Sequence, residues 1–163
     1  MASTRLRKAT RTDARFLGDM LVEALNWAPS RSITRVDALA DPAVARYIAG
    51  WKRPGDAGTV AVDDAGNPVG ACWYRLFSVA DPGFGFVAPG VPELTLGVAA
   101  PWRAQGIGRD LLHAVLSQAR QHGHSRISLN VDRANFASKL YLAEGFVPTL
   151  RHEHSDVMVR ILH

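Results

Sequence analysis

The sequence predicts a mixed α/β fold, a single sheet with helices on both faces. Three observations carry this. A short apolar run, a glycine-containing turn and a strongly periodic helix follow one another from Glu93 to Arg120. Two strand-like runs, 59–62 and 68–76, flank the turn Asp63-Asp64-Ala65-Gly66-Asn67, whose Asp, Gly and Asn suit a hairpin. Beyond the central helix, strand and helix patterns alternate to the end of the chain. In chain order the elements read β-α-α-β-β-β-α-β-α-β-β, without repeats, low-complexity segments or linkers. The 163 residues suit one domain, 1–163, with a sizeable core.

Each element has a local reason. Arg5 to Ala9 reads as a first strand. Thr10 or Thr12 can cap the helix that follows, with Asp13 in its first turn. That helix runs to about Asn26, its stripe formed by Phe16, Leu17, Met20, Leu21, Ala24 and Leu25. Trp27-Ala28-Pro29-Ser30 breaks it. A second helical region spans about Arg35 to Gly50, with an interruption expected near Asp41-Pro42, since Pro is accepted at a helix start and not in its middle. Residues 79–92 carry three prolines and four glycines and read as a long functional loop. Phe84 and Phe86 there either line a pocket or pin the loop to the body.

Leu94 to Val98 reads as a buried strand. Ile107, Leu111, Leu112, Val115, Leu116 and Ala119 form the stripe of the central helix, which Gly123 ends as a C-cap. Arg126 to Val131 alternates as a strand, Ala134 to Glu144 reads as a short helix closed by Gly145, and Phe146-Val147-Pro148 begins another strand. His154 to Leu162 reads as the last strand, with Val157, Val159 and Ile161 on one face and Met158, Arg160 and Leu162 on the other.

Composition narrows the function. No apolar run approaches the roughly 18–20 residues that span a bilayer, which argues against a membrane partner. The N-terminus MASTRLRKATRTD is basic but lacks the apolar core of a signal peptide, which points to the cytoplasm. The net charge is +4 and its arginines are scattered, so one local phosphate site on a solvated surface is favoured over a nucleic-acid groove. Cys72 is the single cysteine, which forbids an internal disulfide and reads as a small sheet residue. His152 and His154 share a strand face without an evident third ligand, and His122 and His124 straddle a helix end; no metal is expected. His113 reads as solvent-facing, and Trp102 as packing the turn.

The turn Pro101-Trp102-Arg103-Ala104-Gln105-Gly106-Ile107-Gly108 carries the chemistry. A strand entering a helix through glycines leaves main-chain N–H groups unpaired at the helix start. Those donors and the positive end of the helix dipole suit a phosphate or pyrophosphate. Gly106 and Gly108 let an anion approach the main chain, and Arg103 and Arg109 flank the turn and can add charge. A dinucleotide fingerprint would need a third glycine after Gly106 and Gly108, and a P-loop would need Gly-Lys, which occurs nowhere. A second stretch, VDRANFASKLYLAEGF at 131–146, places Asn135 where it can cap a helix and Tyr141 four residues before Gly145.

Arg103, Gly106 and Gly108 form an R-x-x-G-x-G turn that resembles the pyrophosphate turn of the GNAT N-acetyltransferase superfamily. Val131, Asn135, Leu140, Tyr141, Gly145 and Phe146 resemble that family's V-x-x-x-N-x-x-A-x-x-L-Y-x-x-x-G-F pattern, with Ala137 and Ser138 at and just before the alanine position. The element order is also that of the family. The resemblance implies a mostly antiparallel sheet of six to seven strands with about four helices. It implies acetyl-CoA as co-substrate and direct transfer to an amine in a ternary complex. Arg103, Ala104, Gln105, Gly106, Ile107, Gly108 and Arg109 would hold the pyrophosphate. Leu96, Gly97 and Val98 would bond the pantetheine through their backbone, along an edge opened by splayed strands, with a bulge freeing an N–H for the thioester oxygen. Asn135 would reach the pantetheine amides.

Tyr141 would protonate the leaving sulfur, since a phenol of pKa about 10 is protonated where a thiol of about 8.5 departs as thiolate. Glu93 would take the amine proton, provided burial lifts it above the usual carboxylate value of about 4.3. The acceptor, a small-molecule or peptide amine, carries no diagnostic motif, and the final strand offers an edge for a homodimer. The alternative is a non-catalytic acyl-CoA-binding sensor or scaffold of the same fold.

Overall fold

The computed structural model describes residues 3–163. Seven strands form one sheet: β1 (Arg5–Lys8), β2 (Ala57–Val62), β3 (Pro68–Arg75), β4 (Glu93–Val98), β5 (Arg126–Asp132), β6 (Val147–Arg151) and β7 (Ser155–Ile161). Five α-helices accompany them: α1 (Ala14–Leu25), α2 (Arg35–Ala40), α3 (Pro42–Ala45), α4 (Ile107–Gln121) and α5 (Ala137–Ala143). The strand order is β1-β2-β3-β4-β5-β7-β6. Every neighbouring pair is antiparallel except β4–β5, which is parallel.

Two apolar clusters cover the two faces. Leu111, Leu112, Val115 and Leu116 of α4 pack with Cys72, Leu94, Ile127, Leu129, Tyr141 and Phe146. On the opposite face Leu17, Met20 and Leu21 of α1 pack with Ala38, Val44, Tyr47, Val60 and Trp73. Cys72 is fully buried in the first cluster, as its small size and strand position suggest. Gly97 sits under α1, where a side chain would collide with the Met20 carbonyl.

Several element bounds differ from the sequence expectation for visible reasons. The second helical region divides into α2 and α3, because the Asp41 side chain accepts the Ala43 N–H and Pro42 occupies the first helical position. Residues 134–136 form a turn instead of the start of α5. The Asp132 side chain accepts the Ala134 N–H there, and Asn135 Oδ1 accepts the Ala137 N–H, each at 2.9 Å. In β7 the expected two-faced division fails: Val157 and Met158 are both buried and Ile161 is exposed. Only the middle of that strand is covered on both faces.

Candidate active site

The parallel pair β4–β5 is joined at a single register position, Glu93 opposite Ser128. Beyond it the strands part, and the β4 edge facing β5 has no strand partner. The gap opens into a cleft of about 1010 Å³. Glu93 to Val98 of β4 line it, with Leu129 to Asp132 of β5, Arg103, Ala104, Gly106 and Arg109 of the turn, and Asn135, Leu140 and Tyr141 of the α5 region. The expected bulge is absent: β4 runs against β3 in unbroken register from Glu93–Arg75 to Val98–Gly70. The open main-chain edge arises from splay alone, because the crossover through α4 brings β5 alongside only the first residue of β4.

At one end of the cleft the turn enters α4. None of the main-chain N–H groups from Ala104 to Arg109 has an acceptor among the described residues; the first helical bond is Asp110 N–H to the Gly106 carbonyl, 3.1 Å. Gly106 has φ +84° and Ala104 φ +60°. This left-handed backbone bends the chain so that successive amides converge, and at Gly106 it favours glycine. Gln105, Ile107 and Gly108 do not line the cleft. Ile107 anchors the helix in the core, Gln105 donates to the Pro101 carbonyl at 3.3 Å, and Gly108 lies against Leu96. Trp102 packs the turn onto the core.

The two flanking arginines are paired with carboxylates. Arg103 reaches Glu23 at 2.6 Å and donates Nε–H to the Val98 carbonyl at 3.1 Å. Arg109 meets Glu144 at 2.8 Å, and His113 meets the same carboxylate at 2.6 Å. The His113 hydrogen bond and the nearby Arg109 hold Glu144 below the usual carboxylate range. These arginines therefore clamp the turn, and the anion-attracting feature left free is the row of amides.

At the other end Glu93 is buried, 3% exposed. Tyr47 donates its hydroxyl hydrogen to Glu93 Oε2 at 2.5 Å and accepts the Phe84 N–H at 2.8 Å. Burial pushes the Glu93 carboxyl up to about 7, opposed by the Tyr47 hydrogen bond, the Gly85 N–H and the Arg46 charge. Glu93 Oε1 has no hydrogen bond of acceptable geometry, although the Gly85 N–H lies close enough to favour the charged form.

The family model for GNAT acetyltransferases matches residues 19–146. The chain belongs to the GNAT acetyltransferase family. Solved structures agree on the fold. An acetyltransferase of the GNAT family from Staphylococcus aureus Mu50 is 17% identical with a TM-score of 0.70, covering 99% of this chain and 100% of its own. An N-acetyltransferase from Thermoplasma acidophilum, in complex with coenzyme A, is 17% identical with a TM-score of 0.66, covering 98% and 99%. A phosphinothricin acetyltransferase from Sinorhizobium meliloti, in complex with AcCoA, is 18% identical with a TM-score of 0.69, covering 98% and 89%. The comparison with curated protein sequences gives no significant match.

Within this GNAT domain Tyr141 reaches the cleft from the face opposite Glu93. Its ring is buried edge-on against Phe146, and burial raises its phenol well above the ordinary value. Its hydroxyl makes no hydrogen bond to the described residues, so it lines the cleft as a free donor. Asn135 spends its Oδ1 on the cap at Ala137 and keeps its amide hydrogens uncommitted. The loop 79–92 divides its aromatics: Phe84 lines the cleft beneath the Arg46 guanidinium, 4.9 Å away, while Phe86 packs on the second core cluster.

Tyr47 escaped the sequence analysis, and no local signal marks it. Its position is set by distant contacts. The Trp73 indole N–H donates to the Tyr47 carbonyl at 3.0 Å. The buried Arg75 donates to the Arg46 and Ala49 carbonyls at 2.9 and 2.6 Å while paired with Asp56. Asn130 was missed as well; it lines the cleft from β5.

Among the described residues no three His, Cys, Asp or Glu side chains cluster as metal ligands. His122 bonds the Tyr74 hydroxyl at 2.6 Å, His124 stacks edge-on against the same ring, and His154 is exposed. No helix is long and apolar enough to cross a membrane.

Proposed function

We propose that the protein is a cytoplasmic N-acetyltransferase, one catalytic domain over 1–163, that moves the acetyl group of acetyl-CoA directly to a primary amine. The observation that carries this reading is the cleft itself. It joins a row of unpaired amides at the start of α4 to an unpaired strand edge and ends between Glu93 and Tyr141.

The amides from Ala104 to Arg109 bind the pyrophosphate, with the α4 dipole adding to their attraction. Leu96, Gly97 and Val98 present main-chain groups to the pantetheine amides, and Asn135 adds its free side-chain N–H. The unpaired β4 edge also offers an N–H to the thioester oxygen as negative charge develops there. Glu93, with its pKa near 7, accepts the proton of the attacking amine. The C–N bond forms, the C–S bond breaks, and Tyr141 gives its hydroxyl proton to the departing sulfur. Glu93 then returns a proton to Tyr141 through solvent, so the net transfer is from nitrogen to sulfur. Positioning in the cleft supplies much of the rate.

Two measurements test the reading. Calorimetry should show one acetyl-CoA per chain, and a thiol-release assay should show turnover with amines. An absence of acetyl-CoA uptake would end the proposal. Binding without turnover of any amine would favour a sensor or scaffold instead.

A further inference from the structure

Two buried oxygens in the cleft lack a donor. Glu93 Oε1 and Asn130 Oδ1 are the buried side-chain acceptors among the described residues with no hydrogen-bond partner. Such atoms are rare in folded proteins unless something else pairs with them. Both residues line the cleft, on the two strands that part there. They also share a face of the sheet. Strand alternation puts Asn130 with Ser128, whose hydroxyl donates to the Gly85 carbonyl at 2.7 Å. A Cβ built at Gly85 would lie 2.8 Å from the Asn130 nitrogen and 3.0 Å from the Glu93 carboxyl carbon. The same glycine therefore abuts both residues, and the loop backbone there leaves their free oxygens to the cleft.

We propose that Asn130 and Glu93 form a two-point anchor for the nitrogen of a primary amine carried on an apolar body. This rests on the acetyl-transfer reading above and specifies the acceptor class for that site. A neutral primary amine has two N–H groups and one lone pair. Donating one hydrogen to each oxygen satisfies both acceptors and leaves the lone pair for the thioester carbon. A secondary amine or a hydroxyl has a single hydrogen, so one buried oxygen stays unpaired, and such a site rejects it. The walls beside the anchor are apolar: Leu21, Ala24, Leu25, Trp27, Val44 and Phe84. They suit an alkyl or aryl chain behind the amine.

The step balances. The nitrogen forms a bond to the acetyl carbon and loses one proton to Glu93, while the sulfur leaves with the C–S electron pair and takes the Tyr141 proton. The product amide keeps one N–H, which stays on Asn130. The bond to Glu93 is then gone, which loosens the product.

The test compares phenethylamine and hexylamine with their N-methyl counterparts and with phenethyl alcohol, using the full chain and acetyl-CoA. The primary amines should turn over with kcat/KM about 100-fold or more above the N-methyl forms, and the alcohol should be inert. Asn130→Ala should lower kcat/KM for the primary amines about 10- to 100-fold and collapse their advantage over the N-methyl forms. Acetyl-CoA affinity and melting temperature should stay at the wild-type values. Asn130→Asp, which keeps an acceptor oxygen of the same size, should retain the preference for primary amines and guards against loss of folding in the alanine variant.

Equal rates for primary and N-methyl amines would overturn the anchor, as would a uniform drop for every amine in Asn130→Ala. If acetyl-CoA binds but no apolar primary amine reacts, the acceptor class is wrong while the acetyl-CoA reading stands. If acetyl-CoA does not bind, both fall together.

Discussion

The two ends of the cleft are built in different ways. At the α4 end six consecutive residues present main-chain amides, and the geometry follows from one left-handed glycine and a helix start. At the Glu93 end the groups come from four separated segments: Tyr47 after α3, Gly85 of the loop, Glu93 of β4 and Asn130 of β5. The first end attracts an anion with groups that do not titrate. The second handles protons, and its properties depend on how completely water is excluded. Binding here is local chemistry, whereas acid–base function is an outcome of packing.

This contrast can be broken by substitutions that should affect one end and spare the other. The largest expected effect is at the buried carboxylate. Glu93→Gln removes the base and should lower kcat/KM by about 10³-fold, with acetyl-CoA affinity unchanged by calorimetry. A variant that loses acetyl-CoA affinity as well would mean the two ends are not separable. Tyr141→Phe should lower kcat by about 10²-fold while the coenzyme still binds. A normal rate in that variant would remove Tyr141 from the proton path.

The converse test lies at the other end. Gly106→Val forces a branched side chain into a backbone with φ +84°. It should weaken acetyl-CoA binding about tenfold, through distortion of the amide row, while the acid limb of the pH profile stays where it is. A shifted limb would show that the turn influences Glu93 after all.

The subtlest effect sharpens the account of Glu93. Its pKa is pushed up to about 7 by burial, and the Tyr47 hydrogen bond opposes that shift. The base form should predominate above that pH, so kcat/KM should rise through a limb near pH 7. Tyr47→Phe removes a donor that favours the charged form, so the limb should move to higher pH, with little loss of rate on the plateau. A limb that moves lower, or not at all, would contradict the hydrogen bond's role.

The legible parts of the molecule were those with short-range causes. The α4 stripe, the hairpin at 63–67, the break at Asp41-Pro42 and the Gly123 cap each follow from residues within a few positions of one another. The R-x-x-G-x-G turn did so too, and its free amides stand where the pattern puts them. Where local reading went astray, a side chain had an alternative partner. Asp132 and Asn135 hold a turn where helical propensity alone extends α5. Arg103 and Arg109, which read as phosphate-facing charges, are held by Glu23 and Glu144 from other elements. The bulge expected from family likeness is replaced by plain splay of β4 from β5.

By itself, then, the chain's order of residues determined the element succession, the amide-lined helix start and the presence of a carboxylate at the head of β4. Only the tertiary structure decided what that carboxylate is. Burial against Tyr47, Gly85 and β5 raises its pKa and leaves one oxygen bare beside Asn130. The physical reason is range. Dihedral preferences and helix-end amides act over a few residues, whereas desolvation sums over every segment that folds in to displace water.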